Sequence, residues 1–319
     1  MDSIWDCVVV GGGAAGLSAG LVLGRARRRA LVVDAGRQSN LPSHGIGGLL
    51  GHDGRSPAQL YEIGRREIAA YPSVELRTGE VVDGARVGDA FELKLADGGV
   101  ERTRRVLLAT GMEYRPPDIE GLMECWGRSV FHCPFCDGWE LRDQPLAVLA
   151  RGEKAIHSAL LLLGWTDDLV LLTDGPADLG DEDRGRLAVA GVKVDERSVA
   201  ELIGRDGELE AVRFTDGGRL ECRGLLAATT LHQRSPLAEK LGAEPGEVTP
   251  FGEAPVKVDA LCRTTARGVF AAGDLSTQLP PQVASAIAAG SLAAVSVVQS
   301  LLADECGLPV PDWSDHVNA

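Results

Sequence analysis

The stretch CVVVGGGAAG, residues 7–16, decides the fold of this chain. The continuous apolar run that opens it, residues 7–10, is typical of a strand buried on both faces of a parallel sheet. Gly11, Gly13 and Gly16 then give the pattern G-x-G-x-x-G. These glycines permit a tight turn, a close approach of the backbone to a pyrophosphate, and close packing of a helix on the strand. The stretch therefore predicts the start of a β-α-β unit that binds a dinucleotide.

The residues that follow complete this unit. We predict a helix over residues 17–24 and a second buried strand over residues 30–33, with Asp34 at its end. An acid about 20 residues after the glycines can accept a hydrogen bond from a ribose hydroxyl, and the start of the helix would face the phosphates. A glycine-rich turn without a ligand is the alternative, and the motif alone does not distinguish FAD from NAD.

Two later segments favour FAD. Residues 105–111 look like the strand and turn that return to the dinucleotide domain in flavoproteins with two dinucleotide folds, and residues 268–274 resemble their terminal FAD motif. A helix predicted over residues 284–302 would place its positive N-terminal end at the flavin and stabilise the reduced, anionic form; a plain core helix is the alternative. The predicted FAD-binding residues are Gly11, Gly13, Ala15, Gly16, Asp34, Ala35, Gly36, Gln38, Asn40, Ala109, Thr110, Gly111, Gly273, Asp274, Gln282 and Val283.

The middle of the chain repeats the β-α-β pattern with a defective turn. Residues 118–245 are predicted to form a domain inserted between two FAD-domain segments, 1–117 and 246–319. In its turn, Ala150 and Arg151 replace the first two glycine-turn positions, while Gly152 and Ala155 still fit G-x-G-x-x-A.

The acid of this second unit limits the nucleotides that it could bind. Asp174, after the second strand, would repel the 2′-phosphate of NADPH but could accept a hydrogen bond from the ribose of NADH. Two alternatives remain open: a degraded NADH site, or a domain that keeps the fold without the nucleotide.

The stretch HCPFCDGWE, residues 132–140, carries the candidate chemistry. No second C-x-x-C exists for a zinc site, and structural disulfides are uncommon in the cytoplasm, so Cys133 and Cys136 are predicted to be a redox pair and no metal is expected. In such a pair the first thiol is often the nucleophile and the second resolves the mixed disulfide. Asp137 can transfer the proton, and His132 is a second candidate, although a histidine there is more often a packed residue.

Composition limits the partners. The chain has 319 residues, enough for two domains, and its net charge of −14 argues against nucleic acid and anionic membranes as partners. No stretch approaches the roughly 20 apolar residues of a membrane span, and no signal-peptide pattern opens the chain. We therefore expect a cytoplasmic protein without a membrane partner.

Taken together, these motifs resemble the low-molecular-weight thioredoxin reductase family over the whole chain. The resemblance is carried by the glycine turn at 11–16, by residues 133–138, and by Gly273-Asp274 with Gln282-Val283. It implies an α/β fold of two Rossmann-like dinucleotide-binding domains, with the FAD domain split by an inserted NAD(P)-type domain, and a homodimer. It also implies that Cys136 is the flavin-side sulfur, Cys133 the substrate-facing sulfur and Asp137 the acid/base.

The defective turn indicates a branch of that family. Around residues 132–145 the chain is most similar to the FAD-dependent dithiol oxidases of gliotoxin and holomycin biosynthesis, which lack a working NADPH site. That branch often has histidine after the second cysteine, whereas Asp137 is reductase-like. We predict a dithiol oxidase that forms a disulfide in a small natural product and reduces O2 to H2O2. The alternatives are a thioredoxin reductase-like enzyme with NAD(P)H or another donor, with thioredoxin as a possible partner, and a non-catalytic flavin sensor.

Overall fold

The structure is a computed structural model that describes residues 4–248, 252–276, 281–311 and 313. The chain divides into two compact units. Unit 1 takes residues 1–39, 58–113 and 231–319, and unit 2 takes residues 40–57 and 114–230, each as far as it is described.

The unit boundaries differ from the predicted domain boundaries. The chain passes between the units after residues 113 and 230, whereas the sequence placed these points after residues 117 and 245. Segment 40–57, predicted as part of the FAD domain, belongs to unit 2. It packs on the cysteine-bearing loop, where the carbonyl oxygen of Cys136 lies 2.1 Å from the position that a Cβ on Gly47 would take. A contact between residues so far apart in the sequence leaves no local pattern.

The described elements combine β-α-β units with two runs of consecutive strands. Up to residue 115 they are β1 (Trp5–Val10), α1 (Ala14–Arg25), β2 (Ala30–Asp34), α2 (Pro57–Ala69), β3 (Val74–Thr78), β4 (Val81–Val87), β5 (Ala90–Leu95), β6 (Val100–Leu108) and β7 (Met112–Arg115). The middle holds α3 (Leu122–Cys125), β8 (Val130–Phe131), α4 (Pro134–Asp137), β9 (Leu146–Leu149), α5 (Glu153–Leu162), β10 (Leu169–Leu172), α6 (Asp181–Val189), β11 (Lys193–Asp195), β12 (Val199–Arg205), β13 (Glu208–Phe214), β14 (Arg219–Glu221), β15 (Gly224–Ala227) and β16 (Thr230–Gln233). The last part holds α7 (Leu237–Lys240), β17 (Val269–Ala271), a 3₁₀ turn (Asp274–Ser276) and α8 (Val283–Cys306).

Unit 1 is built on a mixed sheet in the order β3-β2-β1-β6-β5-β4, with β17 also paired to β6. Strands β1, β2, β3, β6 and β17 run parallel, and β4 and β5 form an antiparallel meander at the edge. Because β1 lies between β2 and β6, the chain reverses its winding there, which is where α/β sheets bind ligands. The carboxyl ends of the parallel strands bring the glycine turn, Asp34, Ala109 and Gly273 to one edge.

Unit 2 repeats this plan in the parallel sheet β11-β10-β9-β15-β8, accompanied by the antiparallel sheet β12-β13-β14. Strand β9 is fully buried because it is apolar at every position, and it leads into the second turn at Ala150. Strand β8 leads into His132 and the cysteines, so the redox pair and the second turn follow carboxyl ends of the same sheet. The predicted α/β class with two Rossmann-like domains is confirmed.

Helix α8 departs from the expectation about membranes. By length and composition it could cross one, with a mean hydropathy of 1.8 over 18 residues. Within unit 1, however, it packs along α1: the carbonyl oxygen of Ala15 lies 2.0 Å from where a Cβ on Gly290 would stand, and Ser18 donates to the carbonyl of Ile287 at 2.8 Å. A core helix of small and apolar residues passes the same composition test, and the packing on α1 accounts for the small residues on one face of α8.

Candidate active site

The turn after β1 is shaped by glycines that no other residue could replace. Gly11 has a φ of +116°, and the carbonyl oxygen of Ala109 lies 2.1 Å from the place of its missing Cβ. At Gly16 the same test finds the carbonyl oxygen of Gly11 at 1.8 Å. Real Cβ atoms do not come so close to backbone, so these two glycines let β1, β6 and α1 meet.

The start of α1 in unit 1 is open. Gly13 stands at the N-cap of this helix without a side-chain cap, and a Cβ there would meet nothing nearer than Gln38 Cγ at 3.7 Å. The first amide groups of a helix point outward and favour a phosphate. This cradle therefore fits the pyrophosphate of a dinucleotide.

Asp34 borders the cradle and is almost completely buried. Its Oδ1 accepts hydrogen bonds from the backbone N–H of Gly36 at 2.8 Å and from Gln38 Nε2 at 2.9 Å, and its Oδ2 pairs with Arg65 at 2.9 Å. A carboxylate has about four acceptor positions, so one remains for a ribose hydroxyl. Gln38 also donates to the carbonyl of Gly12 at 3.2 Å and thereby ties the acid to the turn.

The other predicted FAD residues gather at the same edge of unit 1, with one exception. Ala109, Thr110 and Gly111 follow β6, Asp274 opens the 3₁₀ turn after β17, and Gln282 is the N-cap of α8. Of the remaining predicted residues, Ala15 lies on α1 and Val283 begins α8. After β2 come Ala35 and Gly36, and after β17 comes Gly273. A cavity of about 130 Å³ is lined in part by Gly273, Asp274, Ser276 and Ala286. Asn40 is the exception, since it lies in the segment that belongs to unit 2.

The two cysteines that are predicted to be a redox pair lie at the start of α4 in unit 2. Cys133 is the N-cap of this short helix, Pro134 is its first residue, and the sulfur atoms of Cys133 and Cys136 are 2.7 Å apart as free thiols. The hydrogen bond from the Cys136 thiol is the main cause of a lowered pKa at Cys133, helped by the backbone N–H groups of Cys136 and Phe135 and opposed by burial. A lowered pKa makes Cys133 the better thiolate of the pair.

Asp137 directly follows Cys136, and its pKa suits a group that transfers protons near neutral pH. Burial raises its pKa to about 7; the charge of Glu140 acts in the same direction, and a hydrogen bond with Ser43 opposes both. A carboxyl group that titrates near neutral pH can both accept and return a proton. The burial behind this shift involves segment 40–57, whose contribution the sequence did not indicate.

His132 is held by aromatic rings. Its ring centroid lies 4.6 Å from that of Tyr114 and 5.9 Å from that of Trp126. Desolvation lowers the pKa of His132, so the ring is neutral near pH 7. The residue is exposed at the surface and lies against two aromatic rings.

Two exposed aromatic rings lie on or beside the cysteine loop, and no pattern in the sequence indicated their exposure. Phe135, between the cysteines, is 62% exposed and stands edge-on to Trp165 at 5.4 Å. Trp139 is 65% exposed and lies under the guanidinium of Arg142 at 4.0 Å. Such rings offer an apolar surface next to Cys133.

Four of the five remaining cysteines are poor competitors of the pair, and the fifth, Cys306, is exposed at the end of α8. Cys7, Cys125, Cys222 and Cys262 are buried, and burial raises the pKa of each, to about 12 for Cys222 and about 11 for Cys262. Buried thiols of high pKa are poor nucleophiles. Among the residues that the structure describes, no group of three or more His, Cys, Asp or Glu side chains is arranged to hold a metal ion.

In the second turn, which belongs to unit 2, the side chain of Arg151 lies over the end of β10. The Nη2 atom of Arg151 lies 3.1 Å from Oδ2 of Asp174, and its Nε donates to the carbonyl of Thr173 at 2.7 Å. Asp174 Oδ1 accepts the backbone N–H of Val199 at 2.8 Å. Asp174 therefore differs from Asp34 less in having partners than in their source, because its guanidinium partner comes from the turn itself.

Comparisons with known proteins agree over almost the whole chain. Residues 5–290 match the family model described as pyridine nucleotide-disulphide oxidoreductase. The chain is 33% identical to thioredoxin reductase tcpT of Claviceps purpurea, over 95% of this chain and 96% of that protein. It is similar to the crystal structure of HlmI, with 37% identity, a TM-score of 0.88 and coverage of 96% and 95% of the two chains. An oxidoreductase from Agrobacterium tumefaciens has 35% identity, a TM-score of 0.87 and coverage of 94% and 99%. These matches confirm the resemblance drawn from the sequence.

Proposed function

The chain belongs to the pyridine nucleotide-disulphide oxidoreductase family, and from that premise we propose that it is an FAD-dependent dithiol oxidase. It would form a disulfide in a small natural-product dithiol and pass the electron pair to O2. Membership makes it a flavin disulfide oxidoreductase. The direction of electron flow and the substrate are the parts that we infer.

One observation carries the proposal: the redox pair of unit 2 follows the same sheet edge as a nucleotide turn that Arg151 occupies. A reductase that takes electrons from NAD(P)H needs that turn free. With it occupied, the thiols of a substrate remain as the source of electrons for Cys133 and Cys136. The direction dithiol to enzyme to acceptor follows.

Unit 1 has residues that fit FAD. The cradle at Gly13 would hold the pyrophosphate, Asp34 the adenosine ribose, and Asp274 the ribityl chain. When bound, FAD would supply a two-electron acceptor for the reduced cysteines and a donor for O2, which becomes H2O2. Ala109 and Gly111 line the same edge and leave room for the ligand near the backbone.

The thiol steps belong to the residues of unit 2. One substrate thiolate attacks Cys133 Sγ of the disulfide form, and Cys136 leaves as a thiolate. The second substrate thiolate then attacks the substrate sulfur bound to Cys133. A disulfide product leaves, and Cys133 and Cys136 become thiols when they take up the two protons that the substrate thiols had lost. The low pKa of Cys133 makes it a good leaving group, and Asp137 accepts a proton that the substrate releases.

The exposed rings of Phe135 and Trp139 favour a substrate with an apolar body. The net charge of −14 disfavours an anionic one. We expect the enzyme to act in the cytoplasm as a homodimer, as its family resemblance implies.

Anaerobic titration of the flavin-loaded protein tests the proposal. A small dithiol such as dithiothreitol should bleach the flavin, and air should restore its colour with release of about one H2O2 per dithiol. NADH and NADPH should leave the flavin oxidised at micromolar concentrations. Bleaching by either nucleotide, or no bleaching by any member of a panel of small dithiols, would contradict an oxidase.

A thioredoxin reductase-like function is the second candidate. Two observations favour it: Asp137 directly follows the second cysteine, and the relative from Claviceps purpurea is called a thioredoxin reductase. NADPH oxidation that depends on added oxidised thioredoxin, and that disappears in a Cys136→Ser variant, would support this function over the oxidase.

A further inference from the structure

Position 151 is where the two dinucleotide turns differ most. Arg151 occupies the place that Gly12 has in the first turn, between the first and second glycine positions. At Gly12 a Cβ would lie 2.3 Å from Cγ of Asp34, so any side chain there would meet the acid of its own unit. In unit 2 a long side chain extends from this position to the acid, and the ion pair of Arg151 and Asp174 results.

The guanidinium lies over the end of β10. Besides its contacts with Asp174 and Thr173, its Nη2 atom is 3.2 Å from the place that a Cβ on Gly175 would take. In dinucleotide folds the adenosine ribose sits at this end of the second strand, next to the acid and in front of the turn. Although 58% of its side chain is exposed, the arginine therefore lies across the ribose position and pairs with the acid that a ribose would need, so the residues of unit 2 do not fit a nicotinamide nucleotide.

The acids of the two units are engaged in different ways. Asp34 receives its partners from Gly36, Gln38 and Arg65, which lie outside the glycine turn. Asp174 receives a charged partner from the turn itself, in front of its own sheet edge. Loss of the first glycine at Ala150 alone would change the shape of the turn, but it would not occupy the ribose position.

We propose that Arg151 is a specificity-determining residue that acts as an internal occupant of the second dinucleotide site and excludes NADH from it. The biological role of this exclusion rests on the proposed function, because an enzyme that takes electrons from substrate thiols does not need NADH to bind. The contacts themselves lie within unit 2 and do not depend on the substrate. Since Asp174 would remain after removal of the arginine, the reopened site would accept NADH and reject NADPH.

Binding of nucleotide to the flavin-loaded protein tests this role without a need for turnover. Calorimetric titration with NADH should show no saturation for the wild type. The double variant Ala150→Gly/Arg151→Gly should bind NADH at least about tenfold more tightly, the gain expected from a released hydrogen bond between a carboxylate and a ribose. The single variant Arg151→Ala leaves Ala150 in the turn and should give only part of the gain in NADH affinity. NADPH should bind neither variant measurably.

The matched control is Arg184→Ala. Arg184 is also an exposed arginine of unit 2 in an ion pair, 2.6 Å from Glu196, but it lies on α6. It should leave NADH binding unchanged. Addition of Asp174→Ala to the double variant should remove the gained affinity.

Two results would overturn the role of Arg151. One is saturable NADH binding by the wild type with the affinity of the variants. The other is folded variants, verified by circular dichroism, that bind NADH no better than the control does. Either result could occur whether or not the wild type oxidises dithiols, so the closed site and the oxidase can fail separately.

Discussion

The two glycine-turn regions of this chain share one plan and differ in what stands at the second position. In unit 1 Gly12 has no side chain, and the start of α1 is open. In unit 2 Arg151 fills the same place and pairs with Asp174. The strand pairs next to the two turns, β1 with β2 and β9 with β10, are both parallel, and their strands are mostly apolar and buried. The same strand-turn-helix plan is therefore kept while one residue at the turn differs in what it contacts.

Cofactor binding and thiol chemistry are assigned to different units of the chain. The open turn belongs to the unit that fits a flavin nucleotide, whereas the occupied turn belongs to the unit that carries Cys133 and Cys136. If this separation holds, changes in the cysteine loop should affect turnover and leave cofactor binding intact. Changes in the first turn should do the reverse.

The largest effect is expected for Cys136→Ser. A serine cannot form the disulfide that receives electrons, so dithiol turnover should fall by at least about a thousandfold. Flavin content, measured from the visible spectrum of the purified protein, should stay at the wild-type level because unit 1 is unchanged. A variant that lost its flavin would break the separation of tasks.

A smaller loss, about a hundredfold in kcat, is expected for Asp137→Asn, which keeps the shape and removes the titrating group. Wild-type kcat/KM should rise with pH through about 7, where the carboxyl group ionises, and the variant should lack this step. A pH profile shared by both proteins would show that another group transfers the proton.

Asp137 also makes stability depend on pH. Its folded pKa of about 7 lies above the usual value of about 3.9 for an unfolded chain. The folded state therefore holds this proton more tightly, and the resulting stability is present below pH 4 and lost as pH rises to 7. Urea denaturation should show that Asp137→Asn becomes more stable relative to the wild type between pH 5 and pH 8; a difference independent of pH would contradict the burial of this acid.

The two turns can be compared directly by exchanging Gly and Ala at their third positions. Gly16→Ala places a methyl group 1.8 Å from the carbonyl oxygen of Gly11, so it should lower the free energy of unfolding by about 2–3 kcal/mol and reduce flavin content. Ala155→Gly in unit 2 should cost only about 1 kcal/mol, the usual loss of a glycine within a helix. Thermal denaturation, followed by the release of flavin, would show which of the two variants is less stable. An equal loss of stability in both variants would contradict tighter packing in the first turn.

The smallest expected effects concern the neighbours of Asp137. Glu140→Gln removes a like charge and should move the pH step of kcat/KM down by a few tenths of a unit, whereas Ser43→Ala removes a hydrogen bond and should move it up. The opposite signs are the test, because a general loss of packing would move both in one direction.

Local patterns were enough to predict much of the fold. Apolar runs identified β1 and β2 to within two residues, since strands buried on both faces have few polar positions to interrupt the pattern. Helix starts were less accurate: α1 begins at Ala14 rather than at residue 17. The turn itself supplies its first residues, which an apolar pattern does not mark.

The candidate site was predictable in its residue types but not in its surroundings. The spacing of Cys133 and Cys136 indicated redox chemistry. The contact of Gly47 with Cys136, the influence of Ser43 on Asp137 and the reach of Arg151 to Asp174 all depend on the folded chain. The sequence described Arg151 as a defect; the structure shows it as a partner of the acid that the sequence had left available for NADH.

The contact between Gly47 and Cys136 has a consequence for engineering. A chimera that takes only residues 114–230 from a relative would bring in a foreign cysteine loop and keep the native segment 40–57. Because the Cys136 carbonyl oxygen lies 2.1 Å from the place of a Cβ on Gly47, a shift of the loop backbone towards segment 40–57 would produce a steric clash. A working transplant would have to carry both pieces of the chain, although about 60 residues separate them in the sequence.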